Sequence, residues 1–248
     1  MLCLMLTPMT TDRIGIRLVD DLNSAGYWAG RGAQNFANWD FYDSRDWHDF
    51  AACWDDLLLD EYMRDGGTYR FRRYSQLSYE ADGDDLTLLP HAPYEQSAMI
   101  NKLNGGFQRH FEPIEDRFMS NPFFQGLMRW MGRSYSAASG HTTWNIKLHP
   151  YRIVATEGAG EPSPEGLHRD GVDYICSFMV RKCNVEGGET VITDANEKEL
   201  VRFTLEMPGD IMIGDDNATK HGVSPIQIID RKKSVAYRDV LVVAFTKD

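Results

Sequence analysis

The second half of the chain is a series of short strand-like segments with turns, and no helical pattern, between them. Apolar and polar residues alternate from Trp144 to Leu148, and an extended pattern continues over Tyr151–Ala155. Further strand patterns lie at 174–180, 190–193, 200–205, 210–213 and 239–246, and turns rich in Gly, Pro and Asn lie at 186–188, 194–196 and 208–209. Because many short strands at near-regular spacing close into packed sheets, the pattern predicts a mainly β fold, a sandwich or a jelly-roll barrel.

The first half carries helical patterns. Aromatic and aliphatic residues recur at helical spacing over 43–65, with Asp43 or Ser44 as the N-cap and Gly66-Gly67 as the stop. The acidic residues of this segment are interpreted as a solvated helix face; they are Asp49, Asp55, Asp56 and Asp60.

Two further helices are predicted in this half. One covers residues 94–104 and stops at Gly105-Gly106. The other begins at Asn121-Pro122, which supply a cap and a proline at the first helical position, and it stops at Gly132. Residues 12–42 show no clean period and receive no assignment.

The chain length sets the expected organisation. With 248 residues, of which 42% are hydrophobic, the chain can bury one sizeable core, and it contains no repeat or linker. We expect one domain over residues 1–248, in which 1–140 supply helices and early strands and 141–248 form the barrel core. The helices are expected to flank the barrel.

Composition excludes several classes of partner. The net charge of −11 argues against nucleic acids and anionic membranes, because phosphate contacts need a basic face. Four cysteines without a C-x-x-C motif suit a reducing compartment, and no run of about 18 apolar residues occurs. We therefore expect a cytoplasmic protein that acts on a small molecule or binds a protein.

Three arginines lie on one predicted strand, Thr68–Tyr74. Arg70 and Arg72 share a face and Arg73 lies on the other. Arginines near a pocket mouth can hold a substrate carboxylate bidentately, and arginines on strands also form structural ion pairs. The sequence leaves both interpretations open.

Two histidines and one aspartate have the order of a metal site. His168 and Asp170 are two residues apart, so in an extended segment their side chains point to the same side. His221 arrives from a later strand. Two histidines and one carboxylate leave three coordination positions open, which suits non-haem Fe(II) oxygen chemistry. The alternative is that both histidines are structural.

The order of these residues resembles that of the Fe(II)/2-oxoglutarate-dependent dioxygenases. The resemblance is carried by His168-x-Asp170, Gly187-Gly188-Glu189-Thr190, His221 and Arg238. More closely, Pro-Glu-Gly-Leu-His-Arg-Asp-Gly at 164–171 and Arg-Asp-Val-Leu-Val at 238–242 are similar to the bacterial branch of L-isoleucine dioxygenase-like free L-amino acid hydroxylases. This similarity runs from about Tyr69 to the C-terminus.

The resemblance implies a double-stranded β-helix, a cupin-like jelly-roll barrel, that uses Fe(II), 2-oxoglutarate and O2. It implies that the metal ligands are His168, Asp170 and His221. In the broader family a basic residue that opens the last core strand pairs with the distal carboxylate of 2-oxoglutarate. Arg238 has that place and a planar fork that suits a carboxylate, and Arg231 is the alternative. Thr190 is a candidate hydroxyl donor to the same carboxylate, or a β-branched residue that merely suits a strand.

The implied reaction is hydroxylation of a free, aliphatic L-amino acid, coupled to decarboxylation of 2-oxoglutarate to succinate and CO2. Related halogenases have a small residue in place of Asp170, so its carboxylate favours hydroxylation. Glu165 is a candidate partner for the substrate ammonium and Arg152 for its carboxylate, with surface ion pairing as the alternative for both. Two other functions stay open: the same chemistry on a carrier-bound amino acid, peptide or protein side chain, and a non-catalytic barrel that serves as a binding module.

Overall fold

The structure, a computed structural model, describes residues 11–32, 39–101, 103–156 and 158–248. The described helices are α1 (Thr11–Ala25), α2 (Ser44–Ala52), α3 (Asp116–Met119) and α4 (Pro122–Ser139), and a 3-10 helix over Cys53–Asp56 continues α2. Cys3 and the apolar stretch Met1–Met9 lie outside the described residues. Within the described ranges, no helix has both the length and the apolar character to cross a membrane.

The strands occupy both halves of the chain. In the first half they are β1 (Tyr27–Gly30), β2 (Leu58–Leu59), β3 (Arg70–Arg72), β4 (Ser75–Glu80) and β5 (Asp85–Leu88). In the second half they are β6 (Thr143–Val154), β7 (Tyr174–Cys183), β8 (Val185–Gly187), β9 (Glu189–Asp194), β10 (Glu199–Thr204), β11 (Ile211–Asp215), β12 (Thr219–Val223), β13 (Ile226–Ile228) and β14 (Tyr237–Lys247).

Most strands join one large sheet, in the order β1-β11-β7-β14-β6-β3-β2, and β4 pairs with β6 and with β5. A smaller sheet has the order β10-β9-β12, and β8 pairs with β13. All these pairs are antiparallel. The prediction of a mainly β, double-stranded β-helix barrel with flanking helices is confirmed.

The large sheet separates the main core from the interior of the barrel. Residues of α1, α2 and α4 pack on one face of the sheet in the largest apolar cluster. Alternation along β14 divides its side chains between the two faces. Leu241, Val243 and Phe245 belong to the cluster under the helices, whereas Val240, Val242 and Ala244 line a cavity inside the barrel. The inner face of this sheet is therefore the wall of the candidate site.

The N-cap predictions are confirmed, but two helix ends differ. The Asp43 side chain accepts hydrogen bonds from the backbone of Arg45 and Asp46, and α2 then ends at Ala52, well before Gly66. Asn121 caps α4, which runs past Gly132 and ends at Ser139, with Gly140 as its C-cap at a φ of +73°. A Cβ on Gly132 would lie 2.4 Å from the Tyr79 ring, so this glycine permits close packing and does not end the helix.

The helix predicted over 94–104 is wrong. Tyr94 forms a β-bridge with Arg109, and the described residues between them contain turns, with the Gly106 N–H donating to the Gln96 carbonyl. The unassigned stretch 12–42 contains most of α1 and all of β1. We therefore describe 94–109 as a loop that closes on itself, and this loop contributes side chains to the site.

Candidate active site

A backbone bridge brings the two histidines of the predicted triad together. The N–H of His168 donates to the carbonyl of His221 at 2.9 Å, and the N–H of His221 donates in return at 3.0 Å. The segment at His168 thereby extends the small sheet beyond β12, and the two rings lie 4.6 Å apart between centroids. Residues directly opposite in an antiparallel pair share a face, so both rings point to one side.

Asp170 is positioned by a buried carboxylate that the sequence analysis did not identify. Asp216, 2% exposed, accepts hydrogen bonds from the backbone N–H groups of Asp170 (3.1 Å), Gly171 (2.7 Å) and Val172 (3.1 Å). The chain turns at Gly171, where φ is +74°. Asp216 therefore holds the turn that directs the Asp170 carboxylate toward the two histidines.

The triad atoms lie close enough for one ion to approach all three. One ligand atom from each residue lies within 4.8 Å of the other two, and Asp170 Oδ2 is 3.3 Å from His221 Nε2 and 3.9 Å from His168 Nε2. His168 Nδ1 donates to the Gly166 carbonyl at 2.8 Å, which leaves the lone pair of Nε2 able to bind a metal ion. Two imidazoles and a carboxylate with open positions fit a non-haem Fe(II) ion.

The charge balance of the triad favours an ionised carboxylate. Burial works against ionisation of Asp170, but the hydrogen bond from His221 and the two nearby imidazoles hold its pKa at about 2. Burial lowers and the bond to Asp170 raises the pKa of His221, and the net direction is upward. An anionic ligand is therefore ready at neutral pH, since no proton has to leave Asp170 when a cation binds.

A cavity of about 990 Å³, counting the solvent at its open mouth, joins the triad to Arg238. Arg238 is 2% exposed, and its Nε and Nη2 have no hydrogen-bond partner among the described residues. Burial lowers the pKa of Arg238 to about 10. Gly188 lets the arginine pack closely, because a Cβ there would lie 3.3 Å from Arg238 Cδ and Nε. A buried guanidinium with free N–H groups fits the distal carboxylate of 2-oxoglutarate.

The other candidates for this carboxylate have different positions. Arg231 is exposed in a turn and does not line the cavity, which favours Arg238. Thr190 is fully buried, and its Oγ1 has no hydrogen-bond partner in the described part of the chain. Thr190 is not a lining residue, although it is close in sequence to Gly188.

Of the two substrate candidates, only Glu165 lines the cavity. Its Oε1 accepts a hydrogen bond from Asn101 Nδ2 at 2.9 Å. Arg152 lies on the opposite face of β6 from the lining residues Tyr151 and Ile153, because side chains alternate along a strand. Arg152 instead binds both carboxylate oxygens of Asp239 at 2.8 Å. The ion-pair interpretation therefore applies to Arg152.

Arg70 and Arg72 also form structural interactions. Asp60 is 2% exposed and lies 2.7 Å from Arg70 Nη2 and 3.8 Å from Arg72 Nη1. Arg72 also bonds His149 Nδ1. The interpretation of Asp60 as part of a solvated face is wrong, because two buried guanidinium groups need a buried anion.

Several lining residues come from parts of the sequence that carry no motif. Tyr94 and Gln96 lie in the segment 94–104 that was predicted as a helix, Arg109 follows it in the same loop, and His149 and Lys147 lie on β6. Gln96 Nε2 donates to the Asp170 backbone carbonyl at 3.2 Å. The alternation on β6 indicates that Lys147 and His149 share a face, but not that this face meets the metal ligands.

The fold and the site together define an iron-dependent oxygenase class, and the family comparison agrees. A family profile described as 2OG-Fe dioxygenase matches residues 51–244. The chain belongs to the 2OG-Fe dioxygenase family, whose members are oxidoreductases that use Fe(II), 2-oxoglutarate and O2.

Individual relatives are similar over most of the chain. L-isoleucine-4-hydroxylase of Bacillus thuringiensis is 28% identical over 197 residues, which cover 76% of this chain and 80% of the relative. The crystal structure of a bsmA homolog from Methylobium petroleophilum PM1 superposes with a TM-score of 0.86 at 29% identity, over 98% of this chain and 95% of that one. The crystal structure of IDO from Bacillus thuringiensis has a TM-score of 0.76 at 21% identity, over 94% and 96% of the two chains, and it shares the fold.

Proposed function

We propose that this protein hydroxylates a free, aliphatic L-amino acid, with His168, Asp170 and His221 as the Fe(II) ligands. Arg238 binds the distal carboxylate of 2-oxoglutarate, and Thr190 can donate its hydroxyl to the same group. The observation that carries the proposal is the one cavity that joins the triad to an arginine with free N–H groups. Such a cavity holds the two carboxylate ends of one co-substrate between a metal and a cation.

The chemistry itself comes from the bound groups: Fe(II) and O2 oxidise 2-oxoglutarate to succinate and CO2, and one oxygen atom enters the substrate. The protein positions the reactants. The triad and Arg238 orient the co-substrate. Glu165, held by Asn101, faces the cavity and is the proposed partner of the substrate ammonium.

The cavity lining supports a small aliphatic substrate. Between the charged groups the wall is apolar, with Val172, Ile175, Val223, Val240, Val242 and Ala244. The similarity to an L-isoleucine hydroxylase at 28% identity supports the same class of substrate. Asp170 supplies a carboxylate ligand, which favours hydroxylation over halogenation.

The proposal is tested by succinate formation. Protein reconstituted anaerobically with Fe(II) and 2-oxoglutarate is exposed to air with each of the twenty L-amino acids, and succinate and product masses are measured. We expect succinate to rise with one or a few aliphatic amino acids, together with a product 16 mass units heavier. The control is the Asp170→Ala protein, which lacks the anionic ligand and should form no product.

Other outcomes separate the alternatives. Slow succinate formation that no amino acid accelerates would contradict a free amino acid substrate and favour a carrier-bound, peptide or protein substrate. Iron binding without any succinate would contradict the enzymatic proposal and favour a binding module.

A further inference from the structure

The cavity holds a second buried arginine without an anionic partner. Arg109 is 2% exposed and lines the cavity. Among the described residues, no carboxylate lies within ion-pair distance of Arg109, and its Nε has no hydrogen-bond partner. A buried guanidinium is costly unless an anion meets it, so an anion from outside the chain is the natural complement.

The other cations of the wall differ from Arg109. The charge of Arg70 is met by Asp60 at 2.7 Å. Lys147 is only half-buried, so solvent can reach its ammonium group. Two arginines therefore remain as fully buried, unneutralised cations of this cavity in the described part of the chain: Arg109 and Arg238.

These two arginines lie at different levels of the cavity. Arg238 on β14 is paired with Ile153 on β6. Arg109 lies over the Tyr94 ring, 4.5 Å from its centroid, and that ring contacts His149 with centroids 4.7 Å apart. At about 3.3 Å per residue, the rise along β6 from His149 to Ile153 is roughly 13 Å. The two arginines therefore lie beside different parts of β6, Arg109 near His149 and Arg238 beside Ile153.

Arg109 is connected to the metal site through one side chain. Its Nη2 donates to Gln96 Oε1 at 3.3 Å, and Gln96 Nε2 donates to the Asp170 carbonyl at 3.2 Å. Asn101 Nδ2 also donates to Gln96 Oε1 at 3.2 Å and to Glu165 at 2.9 Å. A group bound by Arg109 would thus lie in the same polar network as Asp170 and Glu165.

We infer that Arg109 binds the α-carboxylate of the amino acid substrate, with Gln96 positioning the guanidinium. This inference rests on the proposed function and replaces Arg152 in that role. The zwitterionic end of the substrate then meets opposite charges, its carboxylate at Arg109 and its ammonium at Glu165. Its side chain is left to extend along the apolar wall.

The test uses a ligand pair that differs in the carboxylate alone. Protein loaded with Mn(II) and 2-oxoglutarate, which allows binding without turnover, is titrated calorimetrically with L-isoleucine and with L-isoleucinamide. We expect the wild type to prefer the acid at least tenfold. Arg109→Met should weaken binding of the acid by about 10- to 100-fold, as expected for the loss of a charge-assisted hydrogen bond, and remove the preference. Its affinity for 2-oxoglutarate should change less than about twofold.

Lys147→Met serves as the matched control, since it removes another cation of the same cavity. It should keep the preference for the acid. Thermal unfolding of each variant reports folding. If Arg109→Met does not fold, Arg109→Lys carries the test, because an ammonium keeps the charge without the planar fork and should still reduce the preference.

The outcomes distinguish this inference from the proposed function. An Arg109 variant that still prefers the acid, or a loss of preference in Lys147→Met instead, overturns the assignment of Arg109. A wild-type protein that binds acid and amide equally overturns it as well. Failure of the succinate assay with all twenty amino acids would refute the proposed function itself.

Discussion

Replacement of Arg238 by methionine should affect co-substrate binding and protein stability in opposite directions. The side chain is 2% exposed, and its Nε and Nη2 are unpaired within the described residues. Methionine retains much of the apolar volume but removes the charge and the N–H donors. A buried arginine whose role is to bind an anion should destabilise the ligand-free protein, and only the bound anion offsets that loss of stability.

The magnitude follows from burial and hydrogen bonding. Burial lowers the pKa of Arg238 from 12.5 to about 10. Since a tenfold change in proton affinity is worth about 1.4 kcal/mol, the charged side chain destabilises the ligand-free fold by about 3 kcal/mol. The pKa of Arg238 is lower in the folded state than in the unfolded state, and pH 7 lies below both values. The guanidinium is therefore charged in both states at pH 7, and the full destabilisation is present. Loss of two charge-assisted hydrogen bonds should cost about 3 kcal/mol in affinity, or roughly 100-fold.

Calorimetric titration with 2-oxoglutarate and thermal unfolding of the ligand-free protein measure the two effects. Arg238→Met should bind 2-oxoglutarate roughly 100-fold more weakly and unfold at a higher temperature, by about 2–4 °C for each kcal/mol regained. Arg231→Met, which removes an exposed arginine, is the control and should change neither quantity. Unchanged affinity in Arg238→Met, or weaker binding in Arg231→Met, would refute the assignment of the co-substrate site.

Three further results are expected. Asp170→Ala should abolish hydroxylation and weaken Fe(II) binding in equilibrium dialysis, and an active variant with unchanged iron affinity would contradict the triad. Asp216→Ala removes the acceptor of three backbone N–H groups and should lower Fe(II) affinity by about 10- to 100-fold; unchanged affinity would show that the turn holds without it. Burial lowers the pKa of His149 well below its usual value, and so do the nearby cations Arg72, Arg109, Lys147 and Arg70. His149 therefore stays neutral in the fold. Below about pH 6.5 the unfolded state therefore binds a proton at His149 that the folded state does not bind. The free energy of unfolding should fall by up to about 1.4 kcal/mol for each pH unit below that value. Denaturant titrations between pH 6.5 and 5 should show that the free energy of unfolding falls less steeply with decreasing pH in His149→Gln than in the wild type. The same pH dependence in both proteins would contradict this explanation.

In the second half of the chain, local sequence patterns were enough to predict strands. Strand patterns depend on alternation between neighbouring residues, and each of those segments is a strand in the structure. The caps at Asp43 and Asn121 were identified for the same reason, because a cap is a contact between residues two or three positions apart. The extent of the domain, the cytoplasmic location and the site-residue roles stay predictions.

Contacts between segments that are distant in the chain could not be predicted from the sequence. Residues 94–104 have a helical pattern in the sequence, yet Tyr94 forms a bridge with Arg109 and Gln96 donates a hydrogen bond to the Asp170 carbonyl. In the sequence, Asp60 resembles the other acidic residues of a solvated helix face. In the structure it lies beside two arginines of β3, Arg70 and Arg72.

The sequence by itself determined the mainly β barrel through strand periodicity, and its short motifs identified the candidate site residues, the triad and Arg238. The tertiary structure alone decided which charges face the cavity. Arg152 and Arg109 look equivalent along the chain, but one is neutralised by Asp239 outside the cavity and the other is buried in its wall without an anion among the described residues. The difference is burial and pairing across the fold, and these depend on residues far apart in the sequence.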